Sequence, residues 1–181
     1  MIASLLLISL AAPAQGYTTR DIGEWKITAA RDGDGCFMTR IYPREGDTTL
    51  LFGLSADGSN RLTVLNANWS IKPQDRLTLD YRLSNRRLPK QPAIGLASGG
   101  KQGFVAAFDA KFPGQFAAAT SLAIFRGNTP VERLTLEGTG AAIAELKRCV
   151  AASKAGPAAR PATDDTIPLD PFAESKPKRK K

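Results

Sequence analysis

The chain has 181 residues, a formal net charge of +8 and no histidine. Without imidazole, the Ser-His-Asp and Cys-His nucleophile arrangements, histidine metal sites and the usual neutral-pH general base are all excluded. The length fits one domain, large enough to bury a substantial core.

The chain opens with MIASLLLISLAAPAQG, in which Leu5-Leu6-Leu7-Ile8 forms an apolar run. Ala12 and Ala14 put small residues at the −3 and −1 positions of a cut after Ala14, which predicts a secretory signal peptide over residues 1–14. No Lys or Arg precedes the run. It is far shorter than the roughly 20 apolar residues that span a bilayer. No cysteine follows it to carry a lipid, and no later segment is apolar enough to cross a membrane. The expected product is therefore soluble and periplasmic or secreted. That compartment decides how the two cysteines read: Cys36 and Cys149 are expected to form a disulfide, with two buried free thiols as the alternative. Two thiolates without histidine make a poor metal ligand set, so neither metal nor cofactor is expected.

A single β-rich globular domain is expected over residues 17–152. Short β-prone runs alternate there with turn signals, the pattern of an antiparallel sheet. Residues 24–28 (EWKIT) open it, and the turn Arg31 to Gly35 (RDGDG) leads to residues 36–42 (CFMTRIY). Residues 48–55 and 61–66 form a predicted hairpin around Asp57-Gly58. Residues 76–83 (RLTLDYRL) alternate strictly, so Leu77, Leu79, Tyr81 and Leu83 should face the core, with Arg76, Thr78, Asp80 and Arg82 outward. Residues 93–97 and 103–108 are further candidate strands. Trp25 and Trp69 are expected in the core or at its edge.

Residues 112–120 (FPGQFAAAT) predict a short helix beginning near Pro113. Residues 121–126 and 130–136 then form a hairpin across Gly127-Asn128, and Thr139 is placed to cap a helix over 141–150. On that helix Ala142, Ile143, Leu146, Cys149 and Val150 share one face, while Glu145, Lys147 and Arg148 fall off it. Cys149 should thus point inward, towards Cys36. From Ser153 to Lys181, Ala, Pro, Lys and Asp dominate without periodicity, so a disordered basic tail is expected.

Motifs that imitate chemistry are weak. Gly95 to Lys101 matches GxxxxGK, but Gln102 stands where a magnesium-binding hydroxyl is needed and a strand follows rather than a helix. Asp32-Gly33-Asp34-Gly35 lacks the distal glutamate of a calcium loop and reads as a tight turn. Asn68-Trp69-Ser70 matches the glycosylation triplet, which has meaning only in a eukaryotic host. Asp32, Asp34, Glu45, Asp47, Asp80 and Asp109 are the carboxylates from which a histidine-free hydrolase would draw a pair. Asp80, between Arg76 and Arg82, is expected to pair across strands. Arg82, Arg86, Arg87 and Lys90 gather positive charge around a loop expected at Ser84 to Pro92. They form the candidate anionic-ligand site, with a solvated loop as the alternative.

Trp25, the short helix before the hairpin SLAIFRGNTPVERLTLEG, and GTGAAIAELKRC with Ala141, Ala142, Ile143 and Leu146 follow one another along the chain. In that order, and most clearly in its last third, the sequence resembles the invasion-associated locus B family of small exported alphaproteobacterial proteins. The resemblance implies a compact β-rich exported domain and supplies no catalytic residues. The expected fold is α+β: an antiparallel β-sheet or sandwich with a short helix before the last hairpin and a C-terminal helix packed on the sheet. The expected function is a non-catalytic envelope protein binding a partner protein or an anionic polymer, with no nucleic acid involved. The basic tail would touch an anionic surface. A carboxylate hydrolase, or an inhibitor of a periplasmic hydrolase presenting Ser84 to Pro92, are the alternatives.

Overall fold

The computed structural model describes residues 17–31 and 33–154. Residues 1–16, which include the expected signal peptide, lie outside the described residues, as do Asp32 and residues 155–181 of the expected tail. Ten strands form one antiparallel sheet: β1 (Arg20–Ile22), β2 (Trp25–Ala29), β3 (Gly35–Tyr42), β4 (Thr48–Ser55), β5 (Asn60–Asn66), β6 (Arg76–Leu83), β7 (Arg86–Ser98), β8 (Lys101–Phe108), β9 (Ser121–Arg126) and β10 (Thr129–Thr135). Helix α1 (Phe112–Ala117) lies between β8 and β9, and α2 (Thr139–Lys154) follows β10.

The strand order is β1-β2-β3-β4-β5-β8-β7-β6-β9-β10. The first five strands are a simple meander. The chain then passes over two strand positions to β6, and β7 and β8 fill back towards β5 by consecutive hairpins. Period-2 alternation sends Leu50 and Phe52, Leu62 and Val64, and Leu79, Tyr81 and Leu83 inward. The sheet bends over on itself, so the inward faces of both halves share one core. α1 inserts two aromatic rings there: Phe116 stacks on Phe52 at 5.2 Å, and Phe112 lies 5.9 Å from the same ring. α2 packs across β2, β3 and β4 through Ala142, Ile143, Leu146, Cys149 and Val150. The Cys36–Cys149 disulfide fastens it to β3.

An edge strand exposes a row of unpaired backbone groups, and β10 has its outer row covered by side chains from the other end of the sheet. Arg44 Nη1 donates to the Arg133 carbonyl, Tyr42 Oη to the Thr135 carbonyl, and both Trp25 Nε1 and Arg40 Nη1 to the Glu137 carbonyl. Arg133 and Thr135 are residues i and i+2 of β10, the spacing at which a strand presents groups to one side, and Glu137 lies in the turn that follows. The sheet is thus closed by side chains where backbone pairing stops.

Several local expectations change. Ser84 to Pro92 is not a loop: a turn at Ser84-Asn85 joins β6 directly to β7, which is paired from Arg86. The segment reads as a loop because of Pro89 and Pro92. Pro89 falls within a register shift opposite Asp80, and Pro92 precedes the part of β7 that pairs with β8. Those are places where a missing N–H is tolerated. Thr139 is not the cap, since its hydroxyl donates to the Leu136 carbonyl while the Ala142 N–H bonds to Gly138. α2 runs through Lys154, so its last turn includes two residues expected in the tail. The glycine-rich GxxxxGK stretch is the β7–β8 connection. Its Lys101 Nζ donates to the Asp47 carbonyl and to Thr49 Oγ1.

Candidate functional site

The pairing registers place Arg87 of β7 opposite Arg82 of β6, Arg82 opposite Ala123 of β9, and Ala123 opposite Arg133 of β10. Directly opposed residues share a face, and neighbouring Leu83, Leu122 and Leu134 point into the core. The arginines therefore stand on the outer face in one line across the strands. Adjacent strands lie about 4.8 Å apart, so Arg133 stands about 10 Å from Arg82, beyond the small side chain of Ala123.

Phe125 lies on the same face, two residues along β9 from Ala123. Its ring has Arg82 Cζ at 4.1 Å from the centroid and Arg133 Cζ at 6.0 Å. Under those guanidinium groups it is only 9% exposed despite its outward position. The stacking fixes both arginines with their donors free, because a cation over an aromatic face is held without using its N–H groups. Among the described residues neither Arg82, Arg87 nor Arg133 has a salt-bridge partner. A concavity of about 400 Å³ runs alongside, lined by Arg82, Ala123, Phe125, Arg133, Leu134 and Thr135.

The four basic residues singled out from the sequence thus separate. Arg82 and Arg87 meet, while Arg86 stands opposite Leu83, on the side of the sheet to which Leu83 points. Lys90 sits in the register shift with φ +53°, and its N–H donates to Asp80 Oδ1 at 2.7 Å. The bond joins β6 to β7, so the cross-strand partner expected for Asp80 is the backbone of Lys90. Arg133 was not among the candidates, because only the β6–β9–β10 pairing brings it beside residues 46 and 51 positions earlier.

Among the described residues the buried carboxylates are Glu132 and Glu145. Glu132 accepts from Arg44 Nη1 at 2.9 Å, from the Arg133 N–H at 2.8 Å and from Thr48 Oγ1 at 2.5 Å. Thr48 in turn accepts from Asn66 Nδ2. Glu145 is the one residue predicted off the core face of α2 that is buried. It accepts from Tyr17 Oη at 2.9 Å and Arg148 Nη1 at 2.6 Å, with Arg20 Nη1 at 3.3 Å. Burial opposes its charged form, yet the Tyr17 and Arg148 hydrogen bonds and the Arg20 and Arg148 charges outweigh it. Its carboxyl is held below the ordinary value. Neither residue was among the candidate carboxylates, although a signal existed: Glu132 is in phase with Leu134 and Leu136, and Glu145 lies one turn before Cys149. Of the carboxylates that were, Asp109 accepts from the Lys111 and Phe112 N–H groups at the start of α1.

The fold has a solved counterpart. The chain is similar to the crystal structure of invasion associated protein B from Bartonella henselae, with a TM-score of 0.55 over 73% of this chain and 97% of that one. At 16% identity the likeness shows the fold alone. No family model and no curated relative matches the chain. Among the described residues, no helix is long and apolar enough to cross a membrane, and no cluster of His, Cys, Asp or Glu could hold a metal ion.

Proposed function

We propose that this is an exported, non-catalytic envelope protein that binds an anionic polymer across Arg87, Arg82 and Arg133. The observation that carries the reading is the line of unpaired arginines, two of them stacked on Phe125. Like charges on opposed strands destabilise a sheet when nothing neutralises them, and a bound polyanion removes that cost. The line runs across the strands, so a polymer would lie perpendicular to them, its anionic groups about 5 and 10 Å apart. Arginine suits the task because its planar fork engages phosphate, sulfate or carboxylate through two donors. Export is supported by the apolar leader and by the Cys36–Cys149 disulfide.

The test is calorimetry with heparin, a soluble polyanion, at low and high salt. Arg82→Glu/Arg133→Glu should weaken binding at least tenfold while a chain ending at Lys154 keeps it. Binding that survives the double substitution but disappears with the basic tail would overturn the assignment to this face.

A further inference from the structure

We infer a second binding site, for a neutral saccharide unit, in the cleft between the β3–β4 turn, the segment after β5 and β10. The inference is independent of the arginine face, which lies on other residues. The cleft holds about 620 Å³ and is bordered by Arg44, Glu45, Asn66, Asn68, Trp69 and Glu132.

Its aromatic wall is fixed. The half-buried Trp69 ring stacks on Phe104 at 5.6 Å with an interplanar angle of 7°. A ring held in this way offers a rigid amphipathic surface, of the kind on which the C–H face of a pyranose packs.

The polar rim is also built in advance. Gly46 (φ +77°) and Asp47 (φ +43°) are consecutive left-handed residues, an arrangement that persists only when its surroundings enforce it. Here the surroundings are visible. The Asp47 N–H bonds to the Arg44 carbonyl, Ala67 N–H to Gly46, and Asn66 Nδ2 to the Glu45 carbonyl at 3.0 Å. A side chain at Gly46 would lie 2.1 Å from Asn66 Oδ1, so only glycine allows this approach. Beneath the rim, Asn66, Thr48 and Glu132 form a continuous hydrogen-bonded chain.

What the rim leaves free decides the ligand class. Asn68 enters the fold's hydrogen bonds through its backbone N–H and Glu45 through its carbonyl, so among the described residues their side-chain amide and carboxylate are unengaged. Arg44 uses Nη1 alone. These are planar groups with paired donors or acceptors, matched to adjacent hydroxyls. Among the residues bordering the cleft the cation is Arg44, already paired with Glu132 at 2.9 Å, and Glu45 adds negative charge. Lys101, beside the turn, is engaged by the Asp47 carbonyl and Thr49. An anion is therefore disfavoured. A polar, uncharged ligand with one apolar face fits.

The full chain is titrated with two probes, the β1,4-linked N-acetylglucosamine trimer and maltotriose, by saturation-transfer NMR and tryptophan emission. Trp25 is completely buried, so an emission change reports Trp69. The expected result is transfer to one trisaccharide with an emission shift. Binding should fall at least tenfold in Asn68→Ala and in Glu45→Gln, and stay unchanged in Arg82→Glu/Arg133→Glu. Absence of binding by both trisaccharides at millimolar concentration would overturn the inference. So would binding indifferent to Asn68 and Glu45, or competition by heparin.

Discussion

The Tyr42 hydroxyl donates to the Thr135 carbonyl at 2.6 Å, joining the end of β3 to the last residue of β10 across 93 positions. Arg40 lies against the Tyr42 ring at 4.7 Å and donates to the Glu137 carbonyl two residues further on. A ten-stranded antiparallel sheet with two bare edges would be a template for pairing with other chains. Here one edge is turned onto β2 and β3, and its Arg133 and Thr135 carbonyls accept from Arg44 and Tyr42 side chains.

Tyr42→Phe removes the donor and leaves the Thr135 carbonyl, the acceptor of a part-buried bond, without that partner. The expected loss is about 1–2 kcal/mol, the size of a hydrogen bond plus part of an acceptor's desolvation. Urea unfolding of the two chains measures it; equal stability would mean that the side-chain clasp contributes nothing.

The same tyrosine makes a prediction in alkali. Burial, with help from Glu132 and against Arg40 and Arg44, pushes the Tyr42 hydroxyl up to about 12 from 10. A raised folded value means the protonated form is favoured in the native state, so its stabilisation is complete below about pH 10 and disappears as pH rises towards 12. Tyr42→Phe should flatten that part of the stability profile. Tyr17, also at about 12, and Tyr81, raised by burial, keep the remainder.

Glu145 gives the opposite sign. Its lowered folded value means that its stabilisation is present above the ordinary carboxylate range and is lost as pH falls through that range and below. Glu145→Gln should therefore be less stable than the parent at neutral pH and converge with it in acid. Melting temperatures followed from pH 7 to pH 2 check this, and parallel curves would remove Glu145 as a source of acid sensitivity.

Much of this fold is legible in the sequence, because period-2 alternation and turn residues survive in β3 to β6 and in the final hairpin. Strand order is a different matter. Nothing local to residues 61–66 says that β8, and not β6, will lie beside β5. The line of arginines depends on that order, so Arg82 and Arg87 could be noticed as neighbours in sequence while Arg133 could not. β1 is only three residues long and carries no alternation to read. Glu132 and Glu145 escape for a further reason: charge argues for the surface, and only the donors assembled around each one reverse it.

The disulfide was legible because the leader-like apolar run and an even cysteine count point to it, and its energetic weight follows from its span. Cys36 and Cys149 are separated by 113 positions. Closing a loop of that size restricts the unfolded chain by about 4–5 kcal/mol in the chain-entropy model. A Cys36→Ala/Cys149→Ala chain should lose stability of that order, with the loss read by urea unfolding. A change below about 1 kcal/mol would show that α2 stays docked through its apolar face alone.

Two glycines separate space from backbone preference. Gly103 of β8 lies between Leu65 of β5 and Leu96 of β7, and a Cβ there would stand 1.9 Å from the Val64 carbonyl oxygen. That neighbour is backbone in a central strand, so it cannot swing aside. β5 and β8 would have to separate. Gly103→Ala is expected to cost roughly 3 kcal/mol, the upper part of the range for overpacking. Gly114 lies in α1 with nothing within 4 Å of the same added atom and no positive φ. Gly114→Ala removes unfolded-chain freedom at no steric cost and should stabilise by about 0.5–1 kcal/mol. The paired melting temperatures should move in opposite directions; a shift of Gly103→Ala as small as that of Gly114→Ala would place β5 and β8 further apart than the structure has them.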